Sequence, residues 1–243
     1  MKLRKLQQLK TTDGWDIIKT MIKDIKVIAF DIDGTLYPQI RFYTKIFFHF
    51  WKNVRFFYHF GRVRKALRRS APLPDLFRYQ AILLSERMHC TTPEAEAKLN
   101  KVIYNAFPKY FKKVKPYKNV KETFEKLKEA GYKIAILSDF PPEQKGDLWG
   151  ILPYCDYVFG AEKIGALKPS KYSYGIMAKE MGVPFQNILY VGNSKKYDIE
   201  GSKAAGMKAA YLLPFWRRLF NLKLKEADIS FKNYRQFQEI VLK

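Results

Sequence analysis

Apolar residues follow two different rhythms along this chain. Beyond residue 117 they alternate between helical spacing and short continuous runs. Val120, Phe124 and Leu127 recur at helical spacing, and Gly131 stands where a helix end favours φ > 0. Ile134 to Leu137 then form a compact run that reads as a strand. CDYVFG gives another strand ending at Gly160, SKYSYGIMAKEMGVP a helix stopped by Gly182 and Pro184, and NILYVGNS the next strand. DIEGSKAAGMKAAYLL repeats the unit, with Gly206 as the stop and Ala209 to Leu213 as a strand. Together with the run VIAF at residues 27–30, this predicts an α/β fold, a parallel sheet covered by helices on both faces.

Residues 39–115 break the rhythm and contain no strand pattern. RFYTKIFFHFWKNVRFFYHF and PDLFRYQAILLSERMHC read as helices. TTPEAEAKLNKVIYNAF opens with Thr91 three residues before Glu94, a capping-box spacing, with Pro93 in the first turn. The simplest division is a core domain of residues 1–38 and 116–243 interrupted by an all-helical insertion, 39–115. Rings recur on too many sides of the first inserted helix for one clean buried face, so some are expected at the surface or at an interface. His49 and His59 show no ligand spacing and read as packing residues.

Charge changes the picture more than composition does. A formal net charge of +22 on 243 residues makes the surface attractive to anions, whether phosphorylated metabolites, nucleic acid or acidic lipid. Cys90 and Cys155, the only cysteines, are far apart and lack metal or redox spacing; reduced core thiols and a cytoplasmic location are expected. MKLRKLQQLKTTDGW has cations but no apolar signal region, and no uninterrupted apolar run approaches the roughly 18–20 residues of a membrane span.

In an open parallel sheet, ligands bind beyond the carboxyl ends of the strands. Asp31, Asp33 and Thr35 follow the first strand, Ser138 and Asp139 the second, and Asn193, Ser194 and Asp198 a later one, while Lys168 lies in the loop GALKPSK. Singly, each has a plainer reading: a turn, a helix cap, a solvated lysine. In this order they describe a site for phosphoryl transfer. An anionic nucleophile approaches a phosphate monoester only if a divalent cation and fixed donors neutralise the field between them. Asp31 suits the roles of nucleophile and metal ligand, and Asp33 those of general acid and then base. Thr35, Ser138 and Lys168 are candidate holders of the phosphoryl oxygens, with Asp139 as a neighbour of that pocket. Asp198 completes the shell of a cation whose preference for hard oxygen suits Mg²⁺.

These motifs carry a family resemblance. DIDGTLY, AILSD at Ser138, GALKPS at Lys168 and VGNSKKYDIEGSKAAGM resemble the four motifs of the haloacid dehalogenase superfamily, over roughly residues 26–213. The resemblance implies a Rossmann-like doubly wound core, obligatory Mg²⁺ held by Asp31, the Asp33 backbone carbonyl, Asp198 and Asn193, and a helical cap formed by the insertion. The short gap from Ser138 to Lys168 leaves no room for the other cap type. Relatives commonly place Asp where this chain has Asn193, which implies weaker Mg²⁺ binding. Asp33 favours phosphatases over dehalogenases, because a departing alkoxide needs a proton and a halide does not; phosphomutases share the pair. The expected substrate is a small phosphorylated molecule, and the cationic insertion suggests further anionic character, as in a nucleotide. The rival reading is a weakly active or non-catalytic protein that binds acidic membrane or nucleic acid through rings and cations of the insertion.

Overall fold

The computed structural model describes residues 22–242; the N-terminal MKLRKLQQLKTTDGW reading lies outside them. Six parallel strands form one sheet: β1 Val27–Phe30, β2 Lys133–Ser138, β3 Tyr157–Gly160, β4 Ile188–Gly192, β5 Lys208–Leu212 and β6 Ile229–Phe231. Their order is β3-β2-β1-β4-β5-β6. The chain builds outward from β1 to β3, crosses back to β4 and builds outward the other way, so the connections diverge between β1 and β4. A crevice opens at such a switch point, at the carboxyl ends of the strands. Phe30 pairs with Ile136 on one side and Val191 on the other, which puts Asp31 level with the ends of both neighbours.

Every residue of β1 and β4 is buried, as expected of strands covered on both faces, which is why they read as continuous apolar runs. Helix Val120–Glu129 turns Val120, Phe124 and Leu127 inward, and the Phe124 ring meets Phe30 at 4.6 Å between centroids. β6 and the closing helix Tyr234–Val241 were not signalled by the sequence pattern: the strand has three residues, too few for a rhythm. That helix nonetheless reaches the site, since Tyr234 Oη donates to the Thr35 carbonyl at 2.8 Å.

Between β1 and β2 the described structure is helical: Gln39–Lys52, Val54–Leu67, Leu76–Met88, Thr92–Leu99 and Phe107–Phe111, with a wider π turn at Asn100–Tyr104. The first two are separate helices because Asn53 leaves helical geometry, its amide donating back to the His49 carbonyl at 2.9 Å. The capping box forms as expected, Thr91 N donating to Glu94 at 2.8 Å while the Thr91 hydroxyl accepts from Glu94 N. His49 packs among Phe57 and Tyr110, within 2.9 Å of the Val102 carbonyl. Both cysteines are free and half-buried. Among the described residues no helix is long and apolar enough to cross a membrane.

Candidate active site

Two glycines let the strand ends close on one another. Gly34 has φ +89°, and a Cβ there would lie 2.4 Å from Asn193 Nδ2, so the turn after β1 is bare where the loop after β4 presses on it. At Gly192 a Cβ would meet the Asp198 Cβ at 2.3 Å. Asp198 therefore packs against the end of β4, and its Oδ2 accepts from the backbone N–H groups of Asn193 and Ser194 at 3.1 and 2.9 Å.

Lys168 holds the centre. Its Nζ lies 2.7 Å from Asp31 Oδ1 and 2.6 Å from Asp198 Oδ1, and donates to Tyr190 Oη at 3.1 Å. All three charged groups are buried. Burial opposes the lysine's charge, but Asp198 and Asp31 outweigh it and hold the ammonium well above its ordinary range. For Asp31, burial is the largest influence; with Asp198 and Asp33 it outweighs Lys168 and pushes the carboxyl up to about 7. The other Asp31 oxygen accepts from Thr35 Oγ1 at 2.9 Å, and that hydroxyl is also 3.0 Å from Asn193 Oδ1. One hydroxyl proton serves one acceptor at a time, leaving lone pairs on the other oxygen for a further donor or a cation.

Asp33 stands two residues on, facing the inserted helices. Its Oδ1 accepts from Tyr37 Oη at 2.7 Å and its Oδ2 from Ser138 Oγ at 3.2 Å. Lys145 Nζ lies 3.2 Å from the same Oδ2 with its side chain fully buried. Its geometry makes no hydrogen bond, yet at that distance the charges attract without alignment. Asp139 has both oxygens occupied: Oδ1 accepts from the Lys168 backbone N–H at 3.0 Å, and Oδ2 pairs with Arg68 at 2.5 Å. It fastens the lysine loop to the insertion.

Asp31, Thr35, Lys168, Asn193 and Asp198 thus share one linked network at the sheet edge, Asp33 and Ser138 form a second beside it, and Asp139 lies behind. Sequence reasoning missed Tyr37, Lys145, Arg68 and Tyr190. Lys145 sits in the turn PPEQKGD after β2, one cation among 45 lysines and arginines, and only tertiary packing singles it out. Behind Asp139, Arg64 pairs with Glu162, to which Tyr104 donates at 2.8 Å.

Three carboxylates here face two ammonium groups, which leaves the site with an excess of negative charge. Among the described residues no three His, Cys, Asp or Glu side chains gather as a ligand group. The third side-chain oxygen beside Asp31 and Asp198 comes instead from the Asn193 amide, linked to Asp31 through Thr35. Oxygen donors with uncompensated negative charge fit a hard divalent cation.

Residues 28–212, from β1 to β5, match the family model for haloacid dehalogenase-like hydrolases. The chain is 26% identical to a 5-amino-6-(5-phospho-D-ribitylamino)uracil phosphatase of Escherichia coli K12 over 204 residues, 78% of this chain and 84% of that one. Over 201 residues it is 27% identical to a phosphoglycolate phosphatase of Aquifex aeolicus, 78% of this chain and 85% of that one. In fold it resembles a magnesium-bound haloacid dehalogenase-type hydrolase from Bacillus subtilis, with a TM-score of 0.63 at 14% identity over 90% of this chain and 99% of that one. With four motifs gathered at one sheet edge inside the matched span, this chain belongs to the haloacid dehalogenase-like hydrolases.

Proposed function

We propose that this chain is a cytoplasmic, Mg²⁺-dependent phosphatase that hydrolyses phosphate monoesters through an aspartyl-phosphate on Asp31. The observation that carries the reading is the contact of one buried ammonium, Lys168, with both Asp31 and Asp198, while Asp33 waits two residues away. The phosphatase names of the relatives support it. Asp31, the Asp33 backbone carbonyl, Asp198 and Asn193 are the residues to hold Mg²⁺, which when bound supplies charge neutralisation for the approaching phosphate.

The remaining work falls to the chain itself. A carboxylate oxygen of Asp31 attacks phosphorus, the bond to the ester oxygen breaks, and an Asp33 oxygen gives the departing alkoxide its proton. Asp33, now a carboxylate, takes a proton from water; the resulting hydroxide attacks the aspartyl-phosphate, freeing phosphate and restoring Asp31. Ser138 and Tyr37 orient Asp33, Lys168 and Thr35 steady the phosphoryl oxygens, and Asp139 fixes the loop that carries Lys168. Residues 39–115 serve as a cap over a core of 1–38 and 116–243.

Asp31→Asn tests the reading. Phosphate release that requires Mg²⁺ should fall at least about a thousandfold in a variant with unaltered circular dichroism, a loss comparable to removing a catalytic nucleophile. Retention of the rate would place the chemistry elsewhere.

A further inference from the structure

A cavity of about 580 Å³ lies under the inserted helices, within the roughly 300–1,000 Å³ usual for ligand pockets. Asp33 and Tyr37 form part of its wall. Phe42, Phe107, Phe111 and Phe140 form much of the rest, locked together by ring contacts such as the 4.2 Å stack of Phe42 on Phe111. Tyr43, Phe47 and Trp51 border it on the outside, half or more exposed, a costly arrangement for large rings unless they meet something apolar.

We infer that the leaving alcohol of the ester is a large apolar group seated in this ring-lined cavity. The inference rests on the phosphatase reading, in which Asp33 protonates the leaving oxygen. That oxygen must lie against Asp33, and the carbon skeleton attached to it continues into the space that Asp33 borders. The ends of the cavity differ in the way such a molecule requires. Near Asp33 the buried ammonium of Lys145 faces the ester end, its Nζ 5.0 Å from the centre of the Phe111 ring. Besides Asp33 and Tyr37, Gln39, the Tyr43 hydroxyl and the Trp51 ring N–H are the only polar side-chain groups among the lining residues. A sugar or a nucleotide would set hydroxyl or phosphate groups against the inner wall of Phe42, Phe107, Phe111 and Phe140, which offers them no partner, at a desolvation cost.

The expectation of a second anionic group drawn from the charge of the insertion is therefore not what its inner surface offers. Lys45, Lys52, Arg55 and Arg62 are exposed, and none of them lines the cavity. Alkyl and aryl phosphates share the chemistry required, whether free in solution or anchored in a bilayer.

The test uses the whole protein with Mg²⁺ and a series of n-alkyl phosphates from methyl to dodecyl, kept below aggregation, alongside phosphoglycolate and adenosine monophosphate. The expected result is a kcat/KM that climbs about fourfold per methylene over the first carbons, as burial of hydrocarbon dictates. Phe47→Ser and Trp51→Ser alter exposed rings, and each should reduce the dodecyl-to-methyl ratio of kcat/KM about tenfold. Dodecyl phosphate in phosphatidylcholine vesicles and as monomer separates the sources: preference for vesicles assigns a membrane lipid, preference for monomer a soluble ester. Turnover of phosphoglycolate or the nucleotide with no dependence on chain length overturns this inference and leaves the phosphatase reading standing. Inertness towards every ester, short and long, overturns both.

Discussion

At Lys168 one ammonium answers two buried carboxylates, and the neighbouring residues show how finely that balance is set. Asn193 carries an amide where the family resemblance implies a carboxylate. Asn193→Asp adds a fourth negative charge beside Thr35, so the Mg²⁺ concentration for half-maximal rate should fall by about tenfold or more, read from a metal titration of phosphate release. No change would mean that the amide serves the Thr35 and Gly34 contacts alone. Asp139 gives a pH prediction. Burial raises its carboxyl, but Arg68, Lys168 and Arg64 outweigh burial and hold it below its ordinary value of 3.8. A depressed carboxyl contributes stability that is present above the unfolded value and disappears as pH falls from there through the folded value. Asp139→Asn should therefore cost roughly 3 kcal/mol at pH 7, by leaving Arg68 without its partner, and less below about pH 4, where the parent loses the same contribution. Urea midpoints at pH 7, 5 and 3.5 read this directly. The carboxylates, Ser138 and Lys168 were legible because each follows a strand or opens a helix in a fixed order. Lys145 and Arg68 were not, because their partners come from elements whose packing no local pattern specifies.

Between elements, the contact most sensitive to a single atom joins the insertion to the loop that carries the lysine. Leu73 N donates to the Gly165 carbonyl at 2.9 Å, and a Cβ on Gly165 would lie 2.0 Å from the Leu73 carbonyl oxygen. Gly165 also has φ +90°, a region side chains rarely enter. Gly165→Ala should cost more than about 1 kcal/mol, visible as a lower melting temperature, and should lower the rate further because Lys168 follows three residues later. A melting temperature equal to the parent's would show that the two segments slide apart without penalty. The sheet was legible at this scale because buried parallel strands announce themselves as apolar runs between helices. The cavity was not: its rings come from five segments, and the first inserted helix shows rings on several sides, so no single periodicity points inward.

For the whole molecule, a net charge of +22 spreads a positive field that draws anionic esters from beyond contact distance. That field is screened as the Debye length shrinks from about 30 Å at 0.01 M salt to about 8 Å at 0.15 M. Hydrolysis at low substrate should slow on the order of tenfold across that range, measured as kcat/KM, while kcat at saturation changes little. An unchanged kcat/KM would mean that the charge serves something other than substrate capture. The charge was legible from composition and its sign was sufficient to anticipate an anionic ligand; only the fold shows that the cations the insertion turns inward, Arg64 and Arg68, are spent on Glu162 and Asp139. The seam between Leu73 and Gly165 has a mechanical consequence at this scale. Arg68 donates to the Lys168 carbonyl and also grips Asp139, so the roof of the pocket is stitched to the strand of chain that arms the nucleophile. A shift of the inserted helices would therefore pull on the loop that sets Lys168 beside Asp31.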